Sequence, residues 1–188
     1  MTQTLVSRPV AWVLSENSNL SLNLAPFSIF NAISSDPALV MLSIDLRPNG
    51  EAKDSRVNIE ARKDFVIHIA HREMAPLVTQ TSASLEPGVS EIDQASLKTC
   101  EFPGGRLPRL VDCRIAYACS LDQLQPIENS SQTLVIARVK QVYIDDSIVE
   151  IDSKNRIRVC AERLDPIGRL GAGEYTTFGK IISFQRPK

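Results

Sequence analysis

The chain has 188 residues, of which 43% are hydrophobic and 23% charged, and its formal net charge is −1. This composition is ordinary for a globular domain, and it provides no basic field to draw in nucleic acid or an anionic membrane. No stretch approaches the ~18 consecutive apolar residues of a transmembrane helix, and MTQTLVSRPV lacks the basic start and apolar run of a signal peptide. We expect one cytoplasmic domain over residues 1–188 that binds neither nucleic acid nor membrane.

Strand-like runs dominate the chain. The predicted strands are residues 9–15, 28–33, 38–44, 65–70, 109–120 and 133–144, which are rich in β-branched, aromatic and aliphatic side chains. In the last strand Val135, Ala137 and Val139 alternate with Ile136 and Arg138. This alternation indicates antiparallel strands with one face in water. Many closely spaced strands with few helices predict a mainly β fold that closes into a small barrel.

Two helices are predicted between the strands. Asp54 or Ser55 is placed to cap a helix that runs to about Lys63, since short polar side chains accept hydrogen bonds from first-turn amides. A second helix over residues 73–83 must hold Pro76 in its first turn. Residues 85–108 are predicted to be irregular, with one extended piece at 96–102.

Few residues suit metal binding or nucleophilic catalysis. The cysteines form no Cys-x-x-Cys pair, and we interpret Cys113 and Cys119 as small apolar residues on a strand. His68 and His71 are three residues apart, so on a strand they would face opposite sides and could not share a metal. We therefore expect neither a metal site nor a Ser-His-Asp triad.

The first candidate site segment surrounds Pro26. Proline holds Ala25 in an extended conformation and removes one amide from strand pairing, so the amides of Phe27 and Ser28 could face a ligand. Ala25 and Ser28 are small enough for a flat ring to approach closely. The alternative interpretation is an ordinary turn at a strand edge.

The second segment combines Ser43 with residues 50–59. A helix that starts after Asp54 would point unpaired amides and a partial positive charge at a phosphate monoester. Lys53 and the Ser55 hydroxyl would add charge-assisted donors. The alternative is an ordinary helix start in solvent.

The third segment, residues 163–175, places Arg169 and Tyr175 among glycines near the C-terminus. Either it closes one edge of a site or it is a tail packed on the barrel.

Taken together, these segments resemble the flavin reductase-like, FMN-binding split-barrel family, the flavoredoxin group. The resemblance is carried by RPVAWV at 8–13, NLAPFSIFNA at 23–32, SSDPALV at 34–40, KDSRVNI at 53–59, FVIHI at 65–69, and RLG at 169–171 with Tyr175. In two places the chain departs from the family. Ser55 stands where threonine is usual, and Gly171-Ala172-Gly173 replaces the usual Gly-Gly pair.

The resemblance implies a homodimeric, Greek-key split β-barrel with FMN bound between the subunits. Residues implied to contact the isoalloxazine, largely through main-chain groups, are Ala25, Pro26, Phe27, Ser28, Phe30 and Asn31. Those implied to hold the phosphate are Ser43, Lys53, Ser55 and Asn58, and those near the mouth of the site are Arg169 and Tyr175.

The resemblance also implies an NAD(P)H-dependent flavin reductase, with NADH or NADPH as the electron donor. Hydride equivalents would pass through flavin N5, so no catalytic side chain is required. An electron-accepting partner enzyme is one destination for the electrons. Two alternatives stay open: a split-barrel reductase or oxidase with a dedicated small-molecule substrate, and a flavin storage or sensor protein without turnover.

Overall fold

The computed structural model describes residues 2–185 and 187. Its strands are β1 Arg8–Pro9, β2 Ala11–Glu16, β3 Leu22–Phe27, β4 Phe30–Ser35, β5 Ala38–Ile44, β6 Asp64–Ile69, β7 Thr99–Cys100, β8 Arg109–Leu110, β9 Ile115–Pro126, β10 Thr133–Ile144, β11 Val149–Ile151, β12 Ile157–Val159, β13 Gly168–Gly171 and β14 Glu174–Thr176. Its helices are α1 Asp54–Arg62, α2 Ala75–Gln80, α3 Glu91–Gln94 and α4 Ala161–Leu164, with 3₁₀ turns at Arg72–Met74 and Asp146–Ile148.

A seven-stranded antiparallel sheet forms the body of the molecule, in the order β3-β2-β6-β9-β10-β5-β4. Strands β3 and β4 stand at opposite ends of this order, although only Ser28 and Ile29 separate them in the chain. The sheet must therefore curl until its two ends meet, and the Ser43 amide donates to the Ile29 carbonyl across the junction at 2.9 Å. Because β3 and β4 do not pair with each other, the barrel is split at this point, and the predicted mainly β split barrel is confirmed.

The sheet buries side chains on both of its faces. The barrel interior holds Val13, Leu42 and Ile67, together with Ile59 from α1, which closes one end. The opposite face of β2, β6 and β9 carries a second core around Trp12, which packs beneath α2, α3 and the segment 97–113. Strands β2 and β6 are thus buried on both faces. The expectation of one wet face is wrong for them, because the helical layer covers the side that an isolated barrel would expose.

The predicted strand over residues 109–120 is also wrong in its bounds. The chain turns at Val111 and Asp112, so that β8 is short and β9 starts at Ile115 and continues to Pro126. Val111 is exposed, whereas Cys113 is buried off the strand. Apolar alternation continues across the turn, which is why the pattern suggested one strand. Strand β3, by contrast, was not predicted.

The predicted helices differ from the observed ones mainly at their ends. Helix α1 begins after Lys53, which occupies the N-cap position with no side-chain capping bond, so neither Asp54 nor Ser55 is the cap. The second helix is shorter than predicted: it is a 3₁₀ turn followed by α2, with Pro76 in the first turn as expected. No helix within the described ranges is long and apolar enough to span a membrane.

A small second sheet adjoins the barrel junction. Strands β1, β13 and β14 pair in the order β1-β13-β14, so the N-terminal strand and a C-terminal hairpin lie side by side. Arg8 stands opposite Arg169 in this register, and Arg169 stands opposite Tyr175. The third candidate segment, residues 163–175, therefore contains most of the β13–β14 hairpin, which is held in place by pairing with β1.

Candidate functional site

Two cavities meet at the end of β3, where their linings share Pro26, Phe27 and Ser82. The first, of about 110 Å³, also contacts Lys53 and is called the Lys53 cavity below. The second, of about 140 Å³, also contacts Tyr175 and is called the Tyr175 cavity. Residues from all three candidate segments thus line one continuous region: Ala25, Pro26, Phe27, Ser28, Lys53, Ser55, Arg169 and Tyr175.

The free edge of β3 forms the floor of this region. Consecutive residues of an antiparallel strand point their N–H groups alternately toward and away from the partner strand. Leu24 donates its amide to Glu91 Oε2 at 2.8 Å, so it points away from β2, and Pro26 faces the same way without a donor to satisfy. The Phe27 amide therefore points toward β2, and the expectation that it faces a ligand is wrong. Ser28 follows the last β2–β3 pair, and its amide donates to no protein acceptor in the described ranges.

Lys53 provides an uncompensated positive charge in the first cavity. It is half-buried, its Nζ lies 5.9 Å from the centre of the Phe27 ring, and it makes no ion pair with any described residue. Helix α1 begins immediately after it, and the amides of Asp54 and Ser55 donate to no described protein acceptor. A lysine ammonium beside the positive end of a helix is an arrangement that suits a phosphate.

The acidic residues that border the same cavity are already paired. Asp54 Oδ2 accepts a hydrogen bond from Arg47 Nη2 at 2.7 Å, and Arg47 Nη1 donates to the Leu85 carbonyl at 3.0 Å. Burial raises the pKa of Glu91 above its usual value, and its carboxyl accepts the Leu24 amide. Arg47 thus offsets the charge of Asp54 and fastens the loop over residues 81–85 to the start of α1.

Ser43 and Asn58, which were expected at the phosphate end, are not brought to the Lys53 cavity. The Ser43 hydroxyl donates to Gln132 Oε1 at 2.7 Å. Asn58 uses its Nδ2 group to donate to Ser15 Oγ at 3.2 Å and to Asn17 Oδ1 at 2.7 Å. Both amide hydrogens of Asn58 are therefore committed within the protein, and neither is available to a ligand.

The C-terminal hairpin closes the Tyr175 cavity. The Arg169 guanidinium lies over the Tyr175 ring, 4.8 Å from its centre, and also donates to the Ala172 carbonyl. The Tyr175 hydroxyl is 3.2 Å from Thr79 Oγ1 on α2. Arg169 and Tyr175 thus form one wall whose position is fixed by contacts to the hairpin and to a helix.

Phe30 and Asn31 lie beyond the two cavities, in an apolar groove of about 380 Å³ that joins the Tyr175 cavity at Ser28. The groove is otherwise lined by Thr2, Leu5, Ser7, Arg8, Pro9, Ile29, Ile33 and Met41.

Sequence reasoning missed the loop that follows α2. Thr81, Ser82, Ala83 and Ser84 all line the Lys53 cavity. The Thr81 hydroxyl oxygen accepts a hydrogen bond from Trp12 Nε1 at 2.8 Å, which anchors the loop to β2. The available signal was this run of small, mostly polar residues directly after a helix.

The two buried thiols are not reactive centres. Burial raises the pKa of Cys113 and of Cys119 to about 12, so neither forms a thiolate at neutral pH, as expected for structural cysteines. The described residues hold no group of three histidine, cysteine, aspartate or glutamate side chains that could bind a metal. The polar groups that remain suit the binding of an anionic ligand with a flat ring.

Comparison with known proteins adds independent information. Residues 3–155 match the family model described as "Flavin reductase like domain". The structure of nitrilotriacetate monooxygenase component B from Bacillus cereus is similar, with a TM-score of 0.89 and 32% identity, covering 97% of this chain and 90% of that one. The 2-nitrobenzoate 2-nitroreductase NbaA of Pseudomonas fluorescens superposes with a TM-score of 0.85 at 26% identity, covering 99% of this chain and 88% of that one. The uncharacterized protein YwrF of Bacillus subtilis is 28% identical over 191 residues, which cover 100% of this chain and 91% of YwrF.

Proposed function

The chain belongs to the flavin reductase like domain family. We propose that it binds FMN across the Lys53 and Tyr175 cavities and acts as an NAD(P)H-dependent flavin reductase. The observation that carries the proposal is that the Lys53 cavity, with its uncompensated lysine and unpartnered helix amides, adjoins a second cavity lined by Pro26, Phe27 and Ser28 at the end of β3. A phosphate monoester would lie at the first and a flat ring at the second.

The residues divide into two groups by what they offer FMN. Lys53, the Ser55 hydroxyl and the first amides of α1 would hold the phosphate. Ala25, which lines the Lys53 cavity, is small enough to let the flavin approach β3 between the two cavities. In the Tyr175 cavity, the Ser28 amide, which has no described protein acceptor, would be available to the ring. When bound, FMN supplies hydride transfer at its N5 atom, so these side chains need only bind and orient it.

The electron donor and acceptor are proposed on chemical grounds. A nicotinamide dinucleotide would have to approach the ring from the open side of the Tyr175 cavity, beside Arg169. The Bacillus cereus protein is a component of a monooxygenase, and on that similarity we propose a partner oxygenase as one acceptor.

A second candidate function is the reduction of a small aromatic substrate by the protein itself. The observation that favours it is the apolar groove, which opens into the Tyr175 cavity at Ser28 and is lined by Phe30, Ile33 and Met41. The similar Pseudomonas protein is a 2-nitrobenzoate 2-nitroreductase. Such a substrate would dock its ring in the groove, next to the flavin.

Anaerobic mixing with NADH or NADPH tests turnover directly. With FMN bound, the visible absorbance of the flavin is expected to bleach within seconds, and adding excess free FMN should sustain NAD(P)H oxidation in air. If nitroaromatic compounds sustain oxidation and free FMN does not, the second candidate is correct. Binding without any bleaching by either nucleotide would identify a flavin store or sensor, and failure to bind FMN would reject all three.

We further propose that the protein is a homodimer and that the apolar groove faces the partner subunit. Strand β4 is an unpaired sheet edge, and Ile33 on it is 48% exposed. Burying such a surface is favourable by about 25 cal/mol per Å² of apolar area. Light scattering is expected to give twice the chain mass for the wild type and for Ile151→Asp, whose position is 69% exposed outside the groove. Ile33→Asp should shift the protein toward monomer, and a monomeric wild type would refute the proposal.

A further inference from the structure

A buried polar cluster lies between helix α1 and strands β2 and β3, directly behind the Lys53 cavity. Its members are fully or almost fully shielded from solvent: Ser15, Asn17, Asn23, Ser55 and Asn58. Polar groups buried in this way stabilise a fold only when their hydrogen bonds are made, so the direction of each bond is constrained by its neighbours.

In the outer half of the cluster, the donor and the acceptor of each hydrogen bond can be assigned. The Ser21 hydroxyl lies 2.7 Å from Asn19 Oδ1 and 2.9 Å from the Gly88 carbonyl, and since both of these oxygens can only accept, its hydrogen is donated to them. Ser21 Oγ is then free to accept from Asn17 Nδ2, also at 2.9 Å. Asn17 in turn accepts from Asn58 Nδ2 through its Oδ1 atom. The second hydrogen of Asn58 is therefore directed at Ser15 Oγ.

The inner half connects this cluster to the ligand cavity through Asn23. Asn23 Nδ2 donates to Ser55 Oγ at 2.8 Å and to Ser15 Oγ at 3.2 Å. Ser55 is 1% exposed yet contributes to the cavity lining, and its hydroxyl donates to no described protein acceptor. An oxygen that accepts from Asn23 has to aim its own hydrogen elsewhere, and the cavity is the direction left open.

We propose that Asn23 is a positioning residue, which holds Ser55 as a hydrogen-bond donor toward the phosphate of FMN. The inference rests on the proposed function, since it assigns the Ser55 donor to that phosphate. Asn23 acts through Ser55 and is not itself required to contact the phosphate. With one lone pair of Ser55 Oγ occupied by Asn23, the hydroxyl hydrogen is left to an acceptor such as a phosphate oxygen.

The test compares FMN with riboflavin, which lacks the phosphate, by titration against Trp12 fluorescence. In Asn23→Asp the carboxylate accepts where the amide donated, so the Ser55 hydroxyl turns toward it and away from the phosphate. FMN affinity is expected to fall about 10-fold or more, as for Ser55→Ala, while riboflavin affinity changes about 3-fold or less. Asn129 is an exposed turn residue whose side chain makes no hydrogen bond with a described residue, so Asn129→Asp adds the same charge and should change neither affinity.

A double-mutant cycle separates positioning from charge repulsion. Once Ser55 is alanine, Asn23→Asp should have little further effect on FMN, because the hydroxyl through which it acts is gone. A full effect in that background, or equal losses for FMN and riboflavin, would overturn the proposal. Asn23→Ala, which adds no charge, is expected to lower FMN affinity about 3-fold and to show the same dependence on Ser55, so it decides the matter if Asn23→Asp does not fold. If the wild type itself does not prefer FMN to riboflavin, the proposed function fails, whatever these variants do.

Discussion

Replacing Lys53 with alanine should weaken FMN binding about 10- to 150-fold, the equivalent of about 1.5–3 kcal/mol for one charge-assisted contact. Lys53 makes no ion pair with any described residue, so its removal leaves no buried carboxylate uncompensated and should not unfold the protein. The phosphate keeps its charge when the flavin is reduced. The loss should therefore be equal for oxidised and reduced FMN, and the rate of reduction at saturating FMN should stay unchanged.

Titration of oxidised and reduced FMN, with riboflavin in parallel, measures this effect. Riboflavin affinity should be unchanged in Lys53→Ala, and Lys140→Ala, an exposed lysine on β10, is the matched control. Ser28→Ala keeps the main-chain amide but removes a hydroxyl from the lining of the Tyr175 cavity, where the ring would lie, so it is expected to behave in the opposite way. It should slow reduction or shift the flavin midpoint potential, with a smaller effect on binding. Should Lys53→Ala keep its FMN affinity while Ser28→Ala loses it with no change in rate, the two ends of the site are reversed.

How much of the fold could be predicted depended on whether local pattern and tertiary environment agreed. Strands β5 and β10 have the bounds that composition and alternation predicted, because one side of each faces the barrel interior. Strand β3 was missed because Pro26 suggests a break. In the structure Pro26 stands on a sheet edge with its nitrogen turned away from β2, where no amide is needed. Which faces are buried could not be predicted, since the covering layer comes from α2, α3 and residues 97–113, far along the chain.

At the candidate site too, residues with a local sequence pattern could be predicted, and those whose surroundings come from distant parts of the chain could not. Lys53 and Ser55 could be proposed from the sequence because a helix start has a local signature, and both line the Lys53 cavity. The residue types of Ser43 and Asn58 suit a phosphate equally well. Their hydrogen bonds go instead to Gln132, 89 residues away, and to Asn17, 41 residues away. No local pattern contains such pairings. The loop at residues 81–84 has no charged side chain, so only its position identifies it.

The protein should lose stability as the pH falls below 6.5, because His68 is buried in a neutral form. It is fully shielded from solvent; its Nδ1 is 3.1 Å from the Trp12 carbonyl, and its Nε2 accepts the Leu110 amide at 2.9 Å. This arrangement requires the proton on Nδ1 and none on Nε2. A second proton, on Nε2, would place that N–H group against the Leu110 N–H group inside the core. Burial, with a smaller contribution from the nearby charge of Arg109, lowers the pKa of His68 from 6.5 to about 4.

Because the folded pKa is the lower one, the stabilisation is present above pH 6.5 and is lost between pH 6.5 and about 4. The free energy of unfolding should fall by about 2 kcal/mol between pH 7.5 and pH 5 from this residue, and by about 3 kcal/mol in all. Chemical denaturation at both pH values measures the change. In His68→Gln, whose Oε1 can still accept the Leu110 amide, this part of the pH dependence should disappear. His71 also has a pKa lowered by burial, so His71→Gln is the matched control and should retain most of the loss. If His68→Gln shows the full wild-type fall in stability between pH 7.5 and pH 5, the imidazole is not the group that destabilises the barrel in acid.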